Sequence, residues 1–559
     1  RAGRISRRAF GAGALALGLS TGAVHTVLAQ PESITELDTV DGTFPLTEDK
    51  VSFRVLIPSN PVIEDFETNA FTTWYEEKTN VHIEWEIVPE QEALASLNVR
   101  LASGDYPDLI MGFNLSSVQG LPPSLQILYG AQGVFLPLNE YIDEHGVETT
   151  RLFEQMPLAR EVSTAPDGNI YALPAIDGCY HCTWPQKLWI YQPWLDQLGL
   201  AMPTTTDELE QVLLAFKEQD PNGNGEADEI PFVGATAGAH PVDAFLMNSF
   251  IFDPVTFERT RLTVQEGVVA AVYAQPAWKE GIAYLARLYA QGLIGPESFT
   301  QDRDQLRRLA NNPDVPIVGA VPALAISSFM DIDEDGGGRW TGYVAAAPLE
   351  GPEGVRIAAY DPYRPIFPGA FVITSACEQP ELAFRWADGL YDLETTMRAV
   401  EGVPGEHWRW AEAGEIGNNG EPAIWVRLVS FGGQQNFSWS NTGPFYFTEE
   451  IHSGQVLDPE KADRSQETIL YRATQEQYVP YAQPAELVLP PLFFAEEQAQ
   501  EVAELGATIT GYVEETLALA VSGQIDIEAE WDNYLSTLEG MGHPRYLQIY
   551  QEAYDATAT

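Results

Sequence analysis

The spacing of apolar side chains changes period several times along the chain, and the changes mark out its elements. "VSFRVLIPS" (51–59) and "VHIEWEIV" (81–88) read as strands, with a helix-like "DFETNAFTTWYEEKTN" between them. A second helix, "EALASLNVRLASG", precedes "YPDLIMG", where a further strand should emerge. Strands alternating with helices at this spacing predict parallel βαβ units. Near 203–219 the helix signal is sharp. Pro203 precedes a capping box, Thr205 with Glu208, and Leu209, Val212, Leu213 and Phe216 then form one apolar face. The run "VPIVGAVPALAISSFM" (315–330) is too short and too proline-broken to span a bilayer, and predicts a buried strand and turn. From about 400 onward the pattern turns mostly helical. Residues 528–555 predict two amphipathic helices broken near Gly540–Pro544, with Trp531, Tyr534, Tyr546, Tyr550 and Tyr554 as a packing stripe.

Composition extends this picture. With 559 residues, 45% of them hydrophobic, the chain is long enough for two or more cored lobes. Its 81 acidic residues face only 30 basic ones, for a formal net charge of −51. Such a surface repels phosphate backbones and anionic lipid, so no nucleic-acid partner is expected. Residues 1–29 begin with a basic segment holding Arg7–Arg8, continue as an uncharged Ala/Gly/Leu run and end at the small Ala29. This predicts a twin-arginine-type export signal, with a membrane anchor as the alternative. Residues 30–49 then read as a flexible leader-proximal segment. Of the three cysteines, Cys179 and Cys182 could close a small loop in an oxidising compartment, leaving Cys377 as a buried thiol.

One loop carries metal-ligand spacing. In "DPNGNGEADEIP" (220–231), Asp220, Asn222 and Asn224 take positions 1, 3 and 5 of an EF-hand loop, but Pro231 stands where the closing Glu should be. Asp228 and Glu229 can close the shell early, with the Glu226 backbone carbonyl as a further oxygen, which predicts a structural Ca2+. A second acidic run, "DIDEDGGG" (331–338), lacks closing ligands and reads as a solvated loop. Catalytic patterns are weak: the one Gly-x-Ser-x-Gly lies inside the leader, and neither His-Glu-x-x-His nor a phosphate-cradling Gly-Lys-Ser/Thr loop occurs. Aromatic residues crowd several loop-like runs, at 179–194, 338–343, 360–367, 405–414 and 437–447. Aromatic faces stack on sugar rings while polar neighbours bond the hydroxyls. Trp184, Trp189, Trp340, Tyr363, Arg364, Trp408, Trp439 and Tyr446 are the expected ligand contacts.

Runs spread over nearly the whole chain carry a family resemblance: "LASGDYPDLIMG" (101–112), "GVFLPLNEYIDEHG" (133–146), the stretch 189–231 with its loop, "AFVITSACEQPELAFRWADGLYD" (370–392), "GVPGEHW" (402–408) and 489–555. The chain resembles the family-1 extracellular solute-binding proteins of ABC importers, in the long, calcium-loop branch that includes alginate-oligosaccharide-binding proteins. The resemblance implies an α/β, two-lobed, periplasmic-binding-protein-like (type II) fold that hinges over a saccharide, with a helix-rich C-terminal part. Lobe 1 is expected at 50–168 plus 356–400, and lobe 2 at 169–355 plus 401–559. The implied protein is an exported monomer without catalysis that delivers its saccharide to ABC-transporter permease subunits. It also implies calcium on Asp220, Asn222, Asn224, Glu226, Asp228 and Glu229. Many relatives are lipoproteins, yet no lipidation cysteine follows the expected cleavage point. A secreted carbohydrate-active enzyme and a receptor for peptides or other small solutes are the alternatives.

Overall fold

A computed structural model describes residues 44–113, 121–236, 241–254, 260–333, 336–429, 434–457 and 464–557. The expected leader (1–29) lies outside the described residues, as does most of the segment 30–49. In chain order, β1 (Val51–Pro58), α1 (Ala70–Thr79), β2 (Val81–Val88), α2 (Ala93–Ser103) and β3 (Leu109–Met111) follow the expected alternation. Next come α3 (Pro123–Ala131), β4 (Leu173–Asp177), β5 (Leu188–Tyr191), α4 (Thr206–Glu218) and β6 (Ile230–Phe232). A hairpin of β7 (Leu262–Gln265) and β8 (Val268–Ala271), then α5 (Pro276–Ala290), β9 (Val318–Pro322) and β10 (Tyr343–Ala346), completes the middle of the chain. The remainder is β11 (Ile366–Ile373), α6 (Pro380–Asp388), α7 (Leu393–Glu401), β12 (Trp408–Trp410), β13 (Trp425–Arg427), β14 (Tyr446–Phe447), α8 (Glu449–Ser453), α9 (Gln466–Ala473), α10 (Glu496–Val521), α11 (Ile527–Gly540) and α12 (His543–Thr557).

Two larger sheets organise most of these elements, one ordered β14-β4-β11-β3-β1-β2 and the other β10-β5-β9-β6, while β7–β8 and β12–β13 pair as separate two-stranded sheets. β1 pairs in parallel with β2 and β3, as the βαβ pattern requires, while β11 runs antiparallel to both β3 and β4. In β1, Phe53, Val55 and Ile57 enter one core and Leu56 another, because helices cover both faces of the sheet. Around the second sheet, Trp189, Leu213, Phe216, Trp278 and Leu285 share a core with Val513, Trp531, Tyr534, Tyr546 and Tyr550 of the C-terminal helices. The expected aromatic stripe is therefore packing. The break between α11 and α12 falls at Gly542, whose φ of 90° suits glycine.

Local signals hold in detail with one shift. Thr205 Oγ1 caps α4 by accepting from the Glu208 backbone N–H, but the Glu208 carboxylate reaches Thr204, one residue earlier than a capping box requires. The lobe boundaries differ from expectation. β4 lies after the expected switch at 168/169 yet belongs to the first sheet, and β14 does so beyond the switch expected at 400/401. Residues 402–453 are also not mostly helical. Small side chains on the first sheet, Ala175 and Ala370, leave room for Trp408, Trp425, Phe445, Phe447 and Ile451 to build a core on it. The helical C-terminal part begins instead at α9.

Candidate functional site between the two sheets

The chain passes between the two cored bodies three times: β4 to β5, β10 to β11, and β14 to α9, whose Leu470 joins the second core. The three connections run side by side where they leave the first sheet. Asp177 N–H donates to the Pro365 carbonyl at 2.8 Å, Gly178 N–H to the Phe447 carbonyl at 2.7 Å, and Asp361 N–H to the Thr183 carbonyl at 2.8 Å. Gly178 sits so tightly that a Cβ there would lie 2.0 Å from the Glu449 nitrogen. Three adjacent strands of backbone joining two cored bodies are the geometry of a hinge.

A cavity of about 690 Å3 opens beside these connections, within the usual size of small-molecule sites. Pro122, Ser124 and Phe367 wall it from the first lobe, and Pro490, Phe494, Val502 and Tyr546 from the second. The middle connection contributes Asp361, Tyr363 and Arg364. Burial lowers the Arg364 pKa to about 10 against the pull of Asp361 and Asp177, and burial raises the Asp361 carboxyl. Its neighbour Tyr360 joins a second group of rings. Tyr360 lies 4.9 Å from Trp184, and Tyr180 lies 5.2 Å from Tyr471. Glu449 is exposed as a residue, but its carboxyl lies near the rings of Tyr180, Tyr360 and Tyr471, and this crowding raises its pKa against the effect of His452. Half-buried tyrosines around a carboxylate form a shelf able to stack on rings and bond hydroxyls.

Of the residues expected to contact ligand, Tyr363 and Arg364 line the cavity, while Trp184 packs against Tyr360 but is only 4% exposed and fills the second core. The others are corrections. Trp189, Trp340, Trp408 and Trp439 are at most 2% exposed, and their indole N–H groups donate to Ala323 O, Asp333 O, Gly402 O and Thr72 Oγ1. Tyr446 is likewise buried, its hydroxyl bonded to Gln155. Such large apolar rings contribute most when fully desolvated, so these fill cores. Sequence reading passed over Tyr180, Tyr360 and Phe367 although each stands in an aromatic run already singled out. Tyr471 and Glu449 carried no such signal.

Away from the cleft, Asp220 (φ 46°), Gly223 (72°) and Gly225 (79°) turn the 220–229 loop. Asp220 accepts from the Asn224 and Gly225 N–H groups, while the Asn222 and Asn224 amides donate to Asp228 at 2.7 and 3.0 Å. Glu229 Oε1 is buried with no hydrogen-bond partner, and desolvation, then Asp228 and Asp220, raises its pKa. Three carboxylates facing inward with an orphaned oxygen fit a hard divalent cation, toward which the two Asn amides would turn their oxygens. In 331–338, Arg307 pairs with Asp331, and Asp333 accepts from the Gly336 N–H at 2.8 Å. Cys179 and Cys182 form a disulfide, so their sulfurs beside His181 are not free for a metal, while Cys377 is a buried thiol whose pKa burial pushes up to about 11.

A family model described as bacterial extracellular solute-binding protein matches residues 60–393. The fructooligosaccharide ABC transporter substrate-binding protein FusA of Streptococcus pneumoniae is 28% identical over 529 residues, covering 92% of this chain and 91% of that protein. Its solved structures, one in complex with kestose and one of an EF-hand mutant in complex with fructo-nystose, match with a TM-score of 0.72 at 26% identity. Each covers 90% of this chain and 99% of its own. An extracellular solute-binding protein from Bifidobacterium longum subsp. infantis shares the fold, with a TM-score of 0.74 at 24% identity over 91% of this chain and 99% of its own. The chain belongs to the bacterial extracellular solute-binding protein family.

Proposed function

We propose that this solute-binding protein captures a neutral oligosaccharide between its lobes and delivers it unchanged to the permease of an ABC importer. The observation that carries the reading is the cavity at the hinge, walled by both lobes and crossed by Asp361, Tyr363 and Arg364. A ligand there touches both bodies at once, so its binding energy favours the closed arrangement. The relatives add support, since FusA is a fructooligosaccharide-binding protein with a kestose complex. Rings of the Tyr180–Tyr360–Tyr471 shelf and of Tyr363 would stack on sugar faces, while Arg364, Asp361 and Glu449 bond hydroxyls. Asp177, Asp361 and Glu449 outnumber Arg364 here, and the chain carries −51 overall, so polyuronates would be repelled. The working protein is exported and monomeric in this reading, and Ca2+ on Asp220, Asn222, Asn224, Glu226, Asp228 and Glu229 staples the loop without touching ligand. Bound calcium supplies charge neutralisation among those carboxylates.

A thermal-shift screen with kestose, longer fructans, uronate oligosaccharides and peptides tests this. A neutral sugar at about 100 times its Kd should add roughly 2.7 kcal/mol of stability, with no change in the sugar by mass spectrometry. Uronates or peptides as the stabilising class, or a hydrolysed sugar, would replace the reading with a different receptor or with an enzyme.

A further inference from the structure

Within the hinge, Glu467 holds one imidazole on each of its oxygens. Its Oε2 lies 3.3 Å from His181 Nε2 and its Oε1 lies 3.3 Å from His452 Nδ1. The three residues come from different parts of the molecule: Glu467 from the first turn of α9, His181 from the β4–β5 connection, and His452 from α8 on the first lobe. The side chains are 18%, 9% and 17% exposed, so the cluster is largely dry. Tyr180 directly precedes His181, and Glu449 lies one helical turn before His452, so the shelf described above hangs on these two imidazoles. We infer that Glu467 is a positioning residue for saccharide capture, clamping the two histidines that carry Tyr180 and Glu449 and making that surface respond to pH. This rests on the proposed saccharide reading.

The surroundings set the sign. His452 faces Asp177 of β4 at 3.9 Å, Arg427 of β13 and Glu449 of its own helix, besides Glu467 and the His181 ring. His181 faces the Cys179–Cys182 disulfide and Lys187, whose ammonium donates to the His181 and Trp184 carbonyls. Burial pulls His452 down, but Glu467 and then Asp177 more than offset it and leave its pKa raised. Burial holds His181 low despite Glu467, and the two imidazoles hold Glu467 well below the usual carboxylate range despite its burial. A histidine whose folded pKa is raised stabilises the clamp fully below its ordinary value of about 6.5, and that stabilisation is lost as pH rises through the folded value. His181, with its pKa lowered, works in the opposite sense and costs stability only on acidification.

Hydrogen exchange on the full chain without ligand reads the clamp directly. Between about pH 6.5 and about pH 9, protection factors for amides 179–184 and 449–453, corrected for intrinsic exchange, should fall roughly tenfold. Glu467→Gln and His452→Gln should flatten that profile, and Glu467→Asp should restore part of it. Should Glu467→Gln not fold, His452→Gln is read alone in the same way. With kestose as probe, the wild-type Kd should rise about threefold or more over the same range and stay level in the variants. A flat wild-type protection profile, or the same slope in the variants, overturns the clamp. Failure of kestose and every other saccharide to bind would instead sink the saccharide reading, and the exchange profile would still decide the clamp.

Discussion

Single residues decide most at the hinge and in the acidic loop. Gly178 has backbone where a Cβ would go, so Gly178→Ala should lower stability by about 2 kcal/mol in denaturant titration and weaken saccharide binding with it. Glu229 has the orphaned oxygen of the loop. Chelation of wild type should therefore lower the melting temperature with or without sugar, and Glu229→Gln should remove most of that response in a calorimetric scan. An unchanged melting temperature after chelation would end the calcium assignment. The clustering of the loop's side-chain oxygens was readable because they are close in sequence. The cavity lining was not. Five of the eight expected contacts were tryptophans, yet Trp189, Trp340, Trp408 and Trp439 went into cores. Tyrosine, with a hydroxyl that tolerates water, occupies the half-buried shelf instead.

Elements with strong periodicity emerged nearly to the residue. β2 spans 81–88 as expected, and α4 begins directly after its Thr205 cap. Thr205→Ala should cost about 1 kcal/mol, measured by denaturant midpoint, because one orphan N–H at the start of α4 loses its acceptor. That helix delivers the acidic loop, so the substitution should also weaken apparent calcium affinity in a chelator competition. β12, β13 and β14 escaped notice, since strands of three and two residues cannot display a period of two. β14 joins the first sheet beside β4, about 270 residues earlier in the chain, while β12 and β13 pair only with each other. The hinge was hidden for the same reason: Asp177, Pro365 and Phe447 meet only in space.

Across the whole molecule, two cored bodies joined by three adjacent connections have the geometry that hinge closure over a ligand requires. Among the described residues no helix is long and apolar enough to cross a membrane, and the excess of acid keeps the surface well hydrated. Closure over a sugar would make the molecule more compact. Small-angle X-ray scattering of the purified protein, titrated with a neutral oligosaccharide that binds by calorimetry, tests it most directly. With closure, the radius of gyration falls saturably with occupancy, and Tyr363→Ala and Tyr360→Ala lose that fall together with the affinity. Full occupancy with an unchanged radius of gyration, or unaltered affinity in both variants, would contradict it.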